Sequence, residues 1–202
     1  MKYAWIIVGL FIAMVTWGQN DDLVAVTSVS HRIVLDIRYA TTNNFTGRPV
    51  YPSAKAFLRR ATAEKLAIAQ AELERQHLGL KVYDAYRPLS VQKQFWTILP
   101  DERYVANPAK GSRHNRGSAV DVTLVHLDTG MELPMPSGYD DFSAKAHYAW
   151  TNASPEAIRD RTILCDTMVR HGFAPMPSEW WHFDDTNWQA YEVLDISFDR
   201  LP

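Results

Sequence analysis

Residues 31–38 alternate polar and apolar side chains, with Ile33, Leu35 and Ile37 on one face, and this predicts a strand. Asn43-Asn44 and Gly47-Arg48-Pro49 mark a loop. Ser53 is placed to cap a helix running to about Leu78, rich in Ala, Glu, Lys, Leu and Gln, with Gly79 ending it. Lys65 and Glu72 interrupt its apolar arc, so propensity rather than periodicity carries that element. Leu80 to Asp84 alternates as a strand and stops at Arg87-Pro88, and Ser90 opens a short helix bearing Val91, Phe95, Trp96 and Leu99. Residues 101–118 read as loop, broken by Pro108, Gly111 and Gly117. Ala119 to Leu127 follows as a strand that turns at Asp128-Thr129-Gly130. Ser154 before Pro155 is an N-cap with proline at the first helical position. The helix it starts, to His171, puts Ile158, Leu164, Cys165, Met168 and Val169 on one side, and Gly172 closes it. Trp180 to Asp184 and Tyr191 to Phe198 complete the strands. Strands and helices are mixed without regular βαβ alternation. The pattern predicts one α+β domain, a mainly antiparallel central sheet flanked by helices.

The first residues stand apart. Lys2 precedes an uncharged, mostly apolar run from Tyr3 to Gly18, and the next charge is Asp21. A basic start, an apolar stretch and small residues at its end read as an export signal. Cleavage after Thr16-Trp17-Gly18 would leave Gln19 first, and residues 19–202 as the working domain. The run is shorter than the roughly 20 residues of a spanning helix, and an uncleaved N-terminal anchor is the alternative. The expected location is the periplasm.

Composition narrows the class. Across 202 residues, 21 Lys and Arg face 23 Asp and Glu, for a net charge of −2. That near-neutral balance argues against a nucleic-acid partner. Hydrophobic residues at 47% and charged residues at 22% exclude a disordered tail or a coiled coil. Cys165 is the single cysteine, so an internal disulfide is impossible and any metal must be held by His and carboxylate.

Reactive side chains concentrate in three segments: Tyr83–Pro88, Ser112–Asp121 and Glu179–Asp184. His114, in a glycine-bearing loop, and Asp121, in the strand after it, could face one point. By themselves they are either two metal ligands or a turn histidine beside a solvated aspartate. Three residues of strand would normally separate Glu179 and His182 onto opposite faces. The prolines at 175 and 177 suggest that Glu179 sits at a bend before the strand begins, where it could approach the same centre. A buried, simply hydrogen-bonded histidine is the other reading. Together His114, Asp121 and His182 make a three-ligand set of the kind that holds catalytic zinc, one ion per chain. Glu179 is then the candidate base and Arg87, held by Pro88 at a strand end, the candidate stabiliser of an oxyanion.

These residues carry a resemblance. The chain resembles the VanX-type D-alanyl-D-alanine dipeptidases, zinc enzymes of the wider D,D-peptidase and hedgehog-like fold group. It does so through Tyr39-Ala40-Thr41 with Asn44-Phe45-Thr46-Gly47, Asp84–Pro88, Ser112–Asp121 and Glu179–Phe183. A further stretch, Tyr139-Asp140-Asp141-Phe142-Ser143 with His147, belongs to the same likeness. The resemblance implies zinc on His114, Asp121 and His182, Glu179 as general base and Arg87 as transition-state stabiliser. It also implies that Asp140, with Asp141 as competitor, receives the ammonium of a D-Ala-D-Ala substrate, and that Ser112 lies near its carboxylate. It carries no protein partner. Intracellular members lack an export signal, so an exported relative would recover D-alanine from wall-derived dipeptide. Two other readings stay open: a zinc D,D- or L,D-carboxypeptidase acting on longer wall peptides, and a non-catalytic zinc-containing binding module.

Overall fold

The computed structural model describes residues 22–201; the export-signal expectation for residues 1–18 lies outside them. A two-stranded antiparallel ribbon pairs β1 (Leu23–Ala25) with β3 (Phe57–Arg59). The main sheet has five strands in the order β2 (Val34–Leu35), β4 (Leu78–Asp84), β5 (Ala119–His126), β7 (Glu179–Asp185) and β6 (Phe173–Met176). Only β2 and β4 run parallel; the other pairings in that sheet are antiparallel. Helices α2 (Arg60–Glu74) and α4 (Pro155–Arg170) pack on each other and on the sheet, while α3 (Leu89–Ile98) leaves the end of β4. A single turn, α1, spans Val26–Val29. The α+β class and the antiparallel sheet agree with the sequence pattern.

Burial explains the layering. Strand β5 is buried from Ala119 through Val125, covered on both faces, so it reads as a continuous apolar run. Leu66 and Leu73 of α2, Leu80 of β4, Leu124 of β5 and Phe183 of β7 are fully enclosed in one core. Each such side chain contributes roughly 1.5–3 kcal/mol on leaving water. Ser154 caps α4 as expected, its Oγ accepting from the Ala157 N–H at 3.1 Å, with Pro155 in the first turn.

Several boundaries differ from the pattern. The 31–38 strand shrinks to Val34–Leu35, and Arg38–Ala40 forms a 3-10 turn. The helix expected from Ser53 instead starts at Arg60, after β3, and has no side-chain cap. It stops at Glu74, and Gly79 lies inside β4, where a Cβ would come within 3.3 Å of Gln70. Here glycine serves close packing rather than helix termination. Val169 is half exposed rather than part of the buried face of α4. Residues 191–198 form no strand; they cross the sheet end as irregular chain, with the Leu194 N–H donating to Asn115 O at 2.8 Å. Strand β6 was not read from the sequence, because Pro175 and Pro177 mask it; an edge position tolerates proline.

Candidate active site

Three adjacent strands carry the centre of the site in one cross-strand row: Asp84 opposite Asp121, and Asp121 opposite His182. Two irregularities make that row. In β4 the register slips by one between Val82 and Asp84, and a one-residue slip moves following side chains to the other face. Asp84 therefore comes alongside Asp121. In the β6–β7 hairpin one step from Pro175 to Met176 spans four residues from Phe183 to Glu179. That excess breaks strict alternation, and Glu179 reaches the side of His182, its Oε2 lying 3.9 Å from Nδ1. Glu179 is the first residue of β7 rather than a bend residue before it.

His114 arrives from a 3-10 turn, His114–Arg116, closed by Gly117 at φ +67°. A Cβ on Gly117 would fall 2.5 Å from Leu23 Cδ2, so the loop folds back only with glycine there. His114 Nε2, His182 Nδ1 and Asp121 Oδ1 converge at 3.1, 3.0 and 3.4 Å from one another. A tetrahedral ion with ligand bonds of about 2.0–2.1 Å has ligand–ligand edges of about 3.3–3.4 Å. The outward atoms are all occupied. His114 Nδ1 donates to Ala85 O at 2.7 Å, His182 Nε2 to Asp184 Oδ1 at 2.9 Å, and Tyr139 OH to Asp121 Oδ2 at 2.9 Å. Such bonds fix both tautomers and turn the two inner nitrogens, as lone pairs, toward the carboxylate oxygen. Three buried acceptors facing one point suit a divalent cation.

Arg87 is enclosed and pinned. Its Nη2 and Nε donate to Asp84 Oδ2 at 2.6 and 3.2 Å, its Nη1 to Gln92 Oε1 at 2.8 Å, and it lies over the Phe95 ring at 4.6 Å. Its backbone N–H donates to His114 O and its carbonyl accepts from Asn115 Nδ2, so the Arg87 and His114 segments are stitched together. Burial lifts the Glu179 carboxyl to about 7, only partly opposed by His182. A carboxylate so poised can take and return a proton near neutrality.

Asp140 has left-handed backbone, φ +59°, and its oxygens accept from Tyr39 OH and the Phe45 N–H, each at 3.0 Å. Asn44 shapes the loop that presents Phe45, donating to the carbonyls of Arg38, Thr41 and Arg48. Burial raises Asp140 to about 6, the two hydrogen bonds acting the other way. Asp141 instead caps its own turn, accepting from the Ser143 N–H at 2.8 Å, and neither it nor the exposed His147 lines the cavity. Ser112 is buried, its Oγ accepting from the His114 N–H at 3.2 Å. All seven residues singled out in the sequence line a single cavity of about 150 Å³: Arg87, Ser112, His114, Asp121, Asp140, Glu179 and His182. The supporting groups Asp84, Tyr139 and Asp184 stand in the segments singled out in the sequence but were given no role there, and Gln92 lies outside those segments.

The profile of the M15 peptidase family described as D-ala-D-ala dipeptidase matches residues 19–198. The chain belongs to that family. It is therefore a metallopeptidase, a hydrolase of peptide bonds. The D-alanyl-D-alanine dipeptidase of Escherichia coli (strain K12) is 33% identical over 181 residues, covering 90% of this chain and 93% of the relative. That of Enterococcus faecium is 34% identical over 175 residues, covering 77% and 87%. Among solved structures, the vancomycin-resistance D,D-pentapeptidase VanY in complex with Zn(II) is similar at 16% identity and a TM-score of 0.42, over 69% of this chain and 79% of that one.

Proposed function

We propose that this chain hydrolyses D-alanyl-D-alanine to two D-alanine molecules, as a zinc peptidase of peptidoglycan metabolism. The observation that carries the reading is the shared cavity in which His114, Asp121 and His182 converge beside Glu179, Arg87 and Asp140. In this reading His114, Asp121 and His182 hold the zinc. Zinc, when bound, supplies Lewis acidity to the scissile carbonyl and lowers the pKa of a water at the site. Asp140 pairs with the substrate's ammonium, and Ser112 lies at its carboxylate end. Glu179 takes the proton of the attacking water as its oxygen bonds to the carbonyl carbon. It then gives that proton to the nitrogen of the leaving D-alanine as the C–N bond breaks. Arg87 faces the oxyanion, and because Asp84 and Gln92 already hold it, no ordering cost falls in the transition state.

Size and charge support a dipeptide. A cavity of about 150 Å³ is small beside the roughly 300–1,000 Å³ of common ligand sites. A buried carboxylate rewards a free ammonium that an internal residue of a longer peptide lacks. We also propose export: residues 1–18 direct the enzyme to the periplasm, which N-terminal sequencing of the periplasmic fraction would check. The function test is D-alanine release by zinc-loaded protein from D-Ala-D-Ala and, in parallel, from a wall pentapeptide. Chelator-sensitive release from the dipeptide alone is expected. Faster release from the pentapeptide would make it a carboxypeptidase, and release from neither a binding module.

A further inference from the structure

A second cavity of about 330 Å³ adjoins the first, the two sharing Glu102, Ala106 and Arg113 in their walls. Its lining leans positive: Glu102 is paired with Lys110 at 2.8 Å, and Arg113 and Arg116 stand beside that pair. Trp188 packs between two of these cations, with the Arg113 guanidinium 4.6 Å and the Arg116 guanidinium 5.4 Å from its ring. The walls are fixed in advance. Asn107 binds the following turn through its side chain and carbonyl, accepting from the N–H groups of Ala109, Lys110 and Gly111. Gly111, at φ +72°, packs so closely on Val193 that a Cβ would fall 2.6 Å from it. Arg116 is anchored by donating to Tyr191 O.

The junction residue is Arg113. Its Nε is buried with no hydrogen-bond partner. That Nε faces Asp184 Oδ2 at 3.5 Å, and the other oxygen of Asp184 is bonded to His182. The rest of the Arg113 side chain, 41% exposed, stands at the mouth between the two cavities, where its guanidinium is open to an anion that comes from outside the chain. Arg113 follows Ser112, the residue placed at the carboxylate end of the dipeptide.

We propose that the side cavity is a specificity pocket for an anionic side chain on the second residue of the dipeptide, received by Arg113 with Lys110 and Arg116 behind it. This rests on the dipeptidase reading above. A methyl side chain leaves the pocket unfilled, whereas a side chain ending in a carboxylate, as in D-Ala-D-Glu, enters it and meets the Arg113 and Arg116 guanidiniums, with the Lys110–Glu102 pair beside them. The site then takes acidic D,D-dipeptides as well as D-Ala-D-Ala.

The test compares kcat/KM of the zinc-loaded full chain for D-Ala-D-Ala, D-Ala-D-Glu and the near-isosteric D-Ala-D-Gln. A Glu-over-Gln preference of about fivefold or more is expected at low salt, the size of one partly screened charge pair. It should shrink at about 0.5 M NaCl. Arg113→Gln and Lys110→Gln should each lower the ratio, which is read within one variant, so any loss of folded or metal-loaded enzyme cancels. A ratio of one or below in the wild type, or a ratio unchanged in both variants, overturns the pocket. Turnover of D-Ala-D-Ala with such a ratio removes the pocket alone; no turnover of D-Ala-D-Ala removes the dipeptidase reading and the pocket with it.

Discussion

Replacing Asp140 with Asn should stabilise the fold while damaging turnover. Asp140 titrates at about 6 in the folded chain because burial disfavours its charge, against an ordinary value of 3.8. The difference corresponds to about 3 kcal/mol, at 1.36 kcal/mol per pKa unit. The sign follows from the raised value. The folded state holds the proton more tightly, so this group's contribution is most favourable below pH 4 and is lost as pH rises through 6. Asn removes the buried charge and keeps an acceptor for Tyr39 OH, but sets an amide against the Phe45 N–H, returning about 1 kcal/mol or more. A net gain of about 1–2 kcal/mol at pH 7 remains, about 3–6 °C in Tm for a chain of this size. In the proposed function the same substitution removes the partner of the substrate ammonium, and kcat/KM for D-Ala-D-Ala should then fall by about 2–5 kcal/mol of transition-state stabilisation. Thermal unfolding of both proteins across pH 4.5–7.5, read as the difference in Tm at each pH, checks the stability half; steady-state kinetics check the other. The reasoning is refuted if the Asn variant is less stable at pH 7, or if the gap between the proteins does not widen from acid to neutral pH.

Three further outcomes follow from the same geometry. His182→Ala should lose both zinc and activity, and a variant that still binds one equivalent by elemental analysis would remove it from the ligand set. Glu179→Ala should keep its zinc and lose about 10²–10⁴-fold in kcat, as removal of a general base does; loss of metal along with activity would make it a ligand or a support for His182. Asp84→Asn leaves the Arg87 guanidinium buried with a neutral partner, and should cost about 3–5 kcal/mol in urea unfolding as for a broken buried pair; an unchanged midpoint would show that Gln92 and the aromatic rings suffice.

The reactive residues were legible in the sequence because they cluster in short segments, and so was much of the secondary structure. Ser154 with Pro155 announced α4 and Ala119 began β5, since caps and apolar runs are local signals. The likeness carried by Ser112–Asp121 and Glu179–Phe183 named a family that the whole-chain comparison then matched. The first helix was misplaced because a stretch rich in Ala, Glu and Leu states a preference for helix without stating where a neighbouring strand captures the backbone, and β1 captures residues 57–59. Tyr191–Phe198 has a strand's composition but finds no ladder, its N–H groups turning to the loops behind the site.

The chemistry the chain carries is written in its short segments, whereas the way the groups meet comes from how those segments pair in space. The meeting of Glu179 with His182 depends on the excess of residues in the β6–β7 hairpin, and that of Asp84 with Asp121 on a one-residue slip in β4. Both are properties of pairing between strands, which no single segment encodes. The bonds from Ala85 O and Tyr139 that aim His114 and Asp121 likewise come from segments distant in the chain, whereas Asp184, two residues beyond His182 on β7, is a local support. Side-chain identity is local and pairing is not, so the residues of the site could be read along the chain and its geometry could not.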